Sequence, residues 1–159
     1  MRKEASFDDH WGKGWPELKD VEYCLADPKG REQFFAKGRD GGCFIAEGLY
    51  GTENLPPQSG LVKVTLYLYM NPSYGVRLQY SKWDGRTRTM DTSHSRGDLR
   101  RLNEFIRSFH GTRLSLGLFI PFEQGWSATK EFIETEGELP KSIAWIDNND
   151  LPAETFPDP

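Results

Sequence analysis

LVKVTLYLYMNPSYGVRLQYSKWDGRTRTM, residues 61–90, is the stretch whose reading decides the fold. Val62, Val64, Leu66, Leu68 and Met70 alternate with Lys63, Thr65, Tyr67 and Tyr69. Successive side chains of a strand point to opposite sides, so this is a strand with one buried face. Asn71-Pro72-Ser73-Tyr74-Gly75 interrupts the run with residues that set or permit turn dihedrals. Val76, Leu78 and Tyr80 then resume the alternation against Arg77, Gln79 and Ser81. Asp84-Gly85 reads as the two-residue loop of a second hairpin, because a type I′ turn needs positive φ at both central positions. Arg86–Met90 returns as a shorter, charged strand suited to a sheet edge. The three strands make a meander whose register puts Val62, Val64, Leu66, Leu68, Val76 and Leu78 into the core. A slip of one residue would turn the whole set into water.

Toward the N-terminus the signals weaken. Phe7, Trp11 and Trp15 are scattered among Asp8, Asp9, His10 and glycines, as in a short strand followed by a loop. Pro16 can open a helix through Leu18, Val21 and Leu25, with a strand over Val21–Ala26 as the competing reading. Asp27-Pro28-Lys29-Gly30 is a turn in either case. Arg31–Lys37 reads as a short helix stopped by Gly38, and Gly41-Gly42 leads into a strand at Cys43–Ala46. Residues 48–60, rich in Gly, Pro, Asn and Ser, form a loop ahead of the meander.

Toward the C-terminus, Ser95-Arg96-Gly97-Asp98 has the S-x-x-D spacing of a capping box. Leu99, Leu102, Ile106 and Phe109 follow on one helical face, and Gly111 stands where a left-handed cap is expected. Leu114, Leu116, Leu118 and Ile120 alternate as a strand ended by Pro121. A second helix, Ser127–Glu136, buries Phe132 and Ile133 and ends at Gly137. Pro140 precedes a last strand, Ser142–Ile146, whose Trp145 is expected to be buried near Trp126 or Phe132. Residues 147–159 form an extended acidic tail. The class is α+β: one domain with a mainly antiparallel sheet built on the meander and two helices packed on one face.

The chain has 159 residues and a formal net charge of −4, unevenly spread. Residues 1–79 carry −1, residues 80–110 carry +3 and residues 111–159 carry −6. No apolar run reaches membrane-spanning length and no leader is evident, which places the protein in the cytoplasm. Cys24 and Cys43, the two cysteines, read as thiols in a reducing compartment, with a single bridge as the alternative.

No catalytic constellation emerges. His10, His94 and His110 lack partners at metal-ligand spacing, and neither an H-x-E with C-x-x-C nor a G-x-S-x-G motif is present. No metal and no cofactor is expected. Asp91, Ser93 and His94 share what reads as one loop, where a polar turn is the plainer account than a hydrolase triad. Arg86, Arg88, Arg96, Arg100 and Arg101 gather around Trp83 and Tyr80, a group that could hold phosphates and stack bases. The overall acidic field opposes a polyanion, so a small nucleic-acid-binding module or an enzyme built on these arginines is the second reading.

Gly125-Trp126, Ala128, Phe132-Ile133, Gly137, Leu139-Pro140 and Ile143-Ala144-Trp145 form a pattern that resembles the first Imm-type family of immunity proteins of bacterial polymorphic toxin systems. The spacing of strand, turn, glycine and strand at Leu66–Tyr80 is similar too, so the likeness covers the C-terminal two-thirds. The resemblance implies a non-enzymatic protein that binds a cognate toxin, nucleic-acid-targeting or deaminase-like, and blocks its active site. A cationic toxin suits the −6 balance of residues 111–159. On that charge, Glu134, Glu136, Glu138, Asp147, Asp150 and Glu154 are the expected contacts, with Trp83, Trp126 or Phe156 as aromatic anchors.

Overall fold

The computed structural model describes residues 1–156. In chain order the strands are β1 (Arg2–Phe7), β2 (His10–Lys13), β3 (Gly41–Glu47), β4 (Val62–Asn71), β5 (Gly75–Asp84), β6 (Thr89–Ser95), β7 (Phe105–Arg107), β8 (Arg113–Ser115), β9 (Phe119–Ile120) and β10 (Trp145–Asp147). The helices are α1 (Leu18–Leu25), α2 (Pro28–Ala36) and α3 (Phe122–Glu134). Eight strands make one antiparallel sheet in the order β10-β6-β5-β4-β3-β1-β2, with β9 paired to β5, while β7 and β8 form a separate hairpin. The fold is α+β, as the sequence implies, with three helices on one face in place of two.

The meander stands in the expected register. Leu68 pairs with Leu78 and Leu66 with Tyr80, and the row continues through Phe44 to Ala5. Val62, Val64, Leu66, Leu68, Val76 and Leu78 are all buried. Each such aliphatic side chain contributes about 1.5–3 kcal/mol when withdrawn from water, so a slipped register would forfeit most of the core.

The helices are set by local chemistry. Asp27 accepts hydrogen bonds from the N–H groups of Lys29 (2.8 Å) and Gly30 (3.3 Å) and caps α2, with Pro28 in its first turn. Residues 27–30 therefore start a helix and are not a free turn. Helix α3 begins at Phe122, earlier than the Ser127 expected, because Pro121 supplies its N-terminal boundary. It lies directly on β5: a Cβ on Gly125 would collide with Val76 Cγ1. At its far end Tyr80 Oη donates to Gly137 O at 2.8 Å. Phe132 is fully buried, with Trp15 at 5.3 Å and Tyr80 at 6.1 Å between ring centres. Trp145 is half-buried and reaches this cluster through Tyr80, at 6.3 Å.

Other expectations are overturned. Asp84 pairs with Thr89, so the β5–β6 connection is the four residues Gly85-Arg86-Thr87-Arg88 and no two-residue turn. Gly85 is required by close approach: a Cβ there would lie 2.5 Å from Pro57 O and 2.7 Å from Leu61 O. The positive φ of this loop falls on Arg88, at 56°. The returning strand starts at Thr89; its first half, Thr89–Thr92, is an edge as expected, while β10 covers Ser93–Ser95, and Asp91, Ser93 and His94 are strand residues and not a loop.

Residues 95–109 form no helix. Ser95 ends β6, where its hydroxyl donates to Leu118 O (2.7 Å) and accepts from Leu78 N–H (2.9 Å), which holds it in the sheet and away from a helix start. Asp98 caps only a single 3₁₀ turn, Leu99–Arg101, and the β7–β8 hairpin follows. Gly111, at φ 89°, serves the turn of that hairpin. This excursion buries Leu114, Leu116 and Phe119 against Tyr69 and Ile106 as a second, smaller core. Burial of that order outweighs helical spacing, whose propensity differences are a few tenths of a kcal/mol per residue.

The run 114–120 is likewise broken, into β8, a 3₁₀ turn at Leu116–Leu118, and β9. After β10 the chain forms two 3₁₀ turns, Asn148–Asp150 and Ala153–Thr155, so residues 148–156 are a strap folded onto the sheet in place of an extended tail. The last three positions of the expected tail, 157–159, lie outside the described residues.

Candidate functional site

The helices leave the other sheet face to be covered only in part, by the β7–β8 hairpin and the 148–156 strap, and its composition follows from the same alternation that builds the core. Every residue complementary to a buried one points there. One row runs from Trp11 on β2 through Ser6 on β1, Cys43 on β3 and Tyr67 on β4 to Gln79 and His94. Two small residues stand between two aromatic ones. Adjacent strands are about 4.8 Å apart, so Trp11 and Tyr67 stand on backbones about 14 Å from each other with Ser6 and Cys43 as floor. The result is a cleft of about 420 Å³, closed at one end by Asp40, Tyr69 and His110. Trp11 is 84% exposed and Tyr67 39%.

Charged and polar groups fix the walls. Asp40, buried, accepts the Phe109 N–H at 2.7 Å and so ties the tip of the β7–β8 hairpin to the start of β3. Arg39 binds Asp8 (2.8 Å) and Asp9 (2.7 Å), and Lys37 binds Asp8 (2.6 Å), across the β1–β2 turn. The Arg39 hydrogen bond, and after it the charge of Lys37, holds Asp9 below the ordinary carboxylate range. Burial pushes the Cys43 thiol up, and pushes Cys24 to about 12. Both cysteines are free, and neither carries an activated thiolate. The cleft offers aromatic faces, hydroxyls and fixed ion pairs, which suits recognition of a side chain or short segment.

Beyond the cleft the same face becomes closed. Arg77, 5% exposed, lies under the second core, with its guanidinium carbon 5.5 Å from the Tyr69 ring centre. Arg77 Nη2 donates to His94 Nδ1 at 3.1 Å, and His94 Nε2 meets Asn148 Oδ1 at 2.8 Å. A guanidinium has no acceptor and an amide oxygen no donor. His94 therefore carries its proton on Nε2 and is neutral. Burial lowers its pKa, partly offset by the Asn148 hydrogen bond.

The acidic residues that the charge balance points to fall into two groups on different elements. Glu134 pairs with Lys130 (3.8 Å), Glu136 with Lys3 (3.2 Å), and Glu138 accepts from the Tyr50 hydroxyl (2.9 Å), all at the end of α3. Asp147, Asp150, Glu154 and Phe156 belong to the end of β10 and the strap, where Asp147 caps the Asn149 N–H and Phe156 lies 5.1 Å from the His94 ring. Trp83 is half-buried on the bare face, its Nε1 donating to Pro57 O at 2.7 Å. Of the arginine group, Arg86 is held by Asp84, Arg100 by Asp98 and Arg101 by Glu104, while Arg88 donates to Gln58 O. No sequence motif marks Trp11, Asp40, Tyr67, Arg77 or His94 as site residues, although the alternation sets Tyr67 and Arg77 opposite the core.

Comparison with known proteins adds no assignment: no family model, no curated protein and no solved structure matches the chain. Among the described residues no helix is long and apolar enough to cross a membrane.

Proposed function

We propose that this chain is a non-enzymatic binding protein of the immunity type, which acts in the cytoplasm by seating on a cognate bacterial toxin and covering its active site. The observation that supports this most is the aromatic cleft on the bare sheet face, with Trp11 84% exposed at its rim. Tryptophan and tyrosine dominate the energetics of protein interfaces, and on a strand they lose little freedom on binding. A net charge of −4, with −6 in residues 111–159, favours a cationic partner. In this reading the cleft supplies affinity, and Glu134, Glu136, Glu138, Asp147, Asp150 and Glu154 supply long-range attraction.

The test is binding to the product of the neighbouring reading frame, which this reading expects to be a basic toxin domain, measured by surface-immobilised kinetics. Trp11→Ser and Tyr67→Ser each weaken binding by at least about tenfold, mainly through faster dissociation. Glu136, Asp147 and Asp150 changed together to Ser slow association and flatten its salt dependence. An acidic partner, or cleft substitutions that leave dissociation unchanged, overturns the proposal.

A further inference from the structure

Among the described residues Asp40 is the one carboxylate that is buried, at 8% exposure, and it forms no ion pair there. Pro157-Asp158-Pro159, the remaining sequence, carries no cationic side chain. Asp40 Oδ2 accepts the Phe109 N–H at 2.7 Å. Its Oδ1 has no hydrogen-bond partner among the described residues, yet it is not one of the sealed orphaned atoms, so it meets open space. The space that Asp40 borders is the end of the aromatic cleft. A carboxylate withdrawn from water is costly unless a positive group stands against it. The rim supplies none: Arg39 and Lys37 are taken by Asp8 and Asp9. Arg77 stands two strands away on β5, with Tyr69 between. The charge of Asp40 is left over.

On the reading of this cleft as the docking site, we propose that its occupant is an arginine side chain of the partner, laid between Trp11 and Tyr67 with its guanidinium on Asp40. The layout along β3 suits that residue. Asp40 precedes Cys43, the floor between the two aromatic rings, by three residues, about 10 Å of extended chain. On the face of Cys43 only Gly41 intervenes, and it has no side chain to fill the path. A long side chain is needed to span that distance while its backbone stays at the rim. Arginine meets the need better than lysine, because its planar, weakly hydrated guanidinium stacks on aromatic rings and still donates to a carboxylate. A neutral side chain of equal length leaves Asp40 uncompensated, which is the source of selectivity.

The probes are N-acetyl-arginine methylamide and its neutral isostere N-acetyl-citrulline methylamide, each titrated against the full chain at constant ionic strength. The readouts are the Trp11 indole N–H and the Gly41 and Gly42 amide resonances. The arginine probe is expected to shift all three saturably. The citrulline probe should bind at least about tenfold more weakly, the loss of a charge-assisted hydrogen bond. Asp40→Asn keeps an acceptor for the Phe109 N–H and should bring the two probes within about twofold of each other. Trp11→Ser should weaken both alike. No saturable shift with the arginine probe, equal affinity of the two probes for the wild type, or a preference that survives Asp40→Asn overturns the inference. The wild-type comparison stands whether or not Asp40→Asn folds. Where Trp11→Ser weakens binding of the protein partner but the arginine probe neither binds nor competes, the docking reading survives and the inference fails. An arginine probe that binds while the protein partner ignores the cleft keeps the arginine site and overturns the docking reading.

Discussion

Arg77 Nη2 donates to His94 Nδ1 at 3.1 Å, diagonally across β5 and β6, so a permanent cation occupies the atom at which His94 would take up its second proton. Protonation must break that bond and set two positive groups together. The folded-state pKa of His94 therefore lies below its ordinary 6.5, with burial as the largest cause. In the unfolded chain the group binds protons more readily, so stability is full above pH 6.5 and falls as the pH drops below it. Urea unfolding between pH 5 and 8 is expected to show this slope, and His94→Gln to flatten it. A slope that survives His94→Gln would assign it to another group.

Helix α3 can lie on β5 only because position 125 has no side chain. A Cβ there would stand well inside contact distance of Val76 Cγ1. Gly125→Ala is expected to destabilise the protein by about 1–3 kcal/mol through overpacking, although alanine favours an isolated helix by about 1 kcal/mol. Val76→Ala in the same chain should recover part of the loss, and the double-mutant cycle measures that coupling. Additive losses would mean that the helix seats elsewhere.

Trp11→Ser separates fold from function. The ring is 84% exposed on a short edge strand, so its removal should change stability by no more than about 0.5 kcal/mol. A large fall in melting temperature would show the ring to be part of the packing, and the cleft would lose its standing as a docking site.

Asp84 holds the four-residue loop that stands where a tight turn is expected. Its carboxylate accepts a guanidinium bond from Arg86 at 3.0 Å and the Arg86 backbone N–H at 2.9 Å, which bring its pKa to about 2. Carboxyl carbon shifts followed through acid should show that value, and Arg86→Gln should move it back toward the usual 3.8. An unmoved Asp84 in the variant would leave the backbone N–H and the Lys82 charge as the causes.

The alternation Val62–Met70 and Val76–Tyr80 was enough to determine the central hairpin, its register and its core face. A period of two admits only one division of those residues between water and core, and the division is worth many kilocalories. The same partition by itself sets Tyr67, Tyr69 and Arg77 on the opposite face. Gly38, Gly111 and Gly137 were also legible, since each adopts positive φ, yet only two of them end helices. Gly111 turns a hairpin, because φ alone does not say which element a residue terminates.

Tertiary structure decided the rest, for one physical reason: wherever local preferences differ by tenths of a kilocalorie, distant contacts choose. Leu99, Leu102, Ile106 and Phe109 fit a helix by spacing, but Ser95 is already bonded to Leu78 and Leu118, and a second core is available to Leu114 and Phe119. Asp84-Gly85 fits a tight turn by composition, but Gly85 is needed against Pro57 and Leu61. Trp11 and Tyr67 are 56 positions apart in the chain, and only the pairing of β2, β1, β3 and β4 sets them on two sides of one cleft. The Arg77–His94–Asn148 chain likewise joins three segments whose sequences carry no sign of one another.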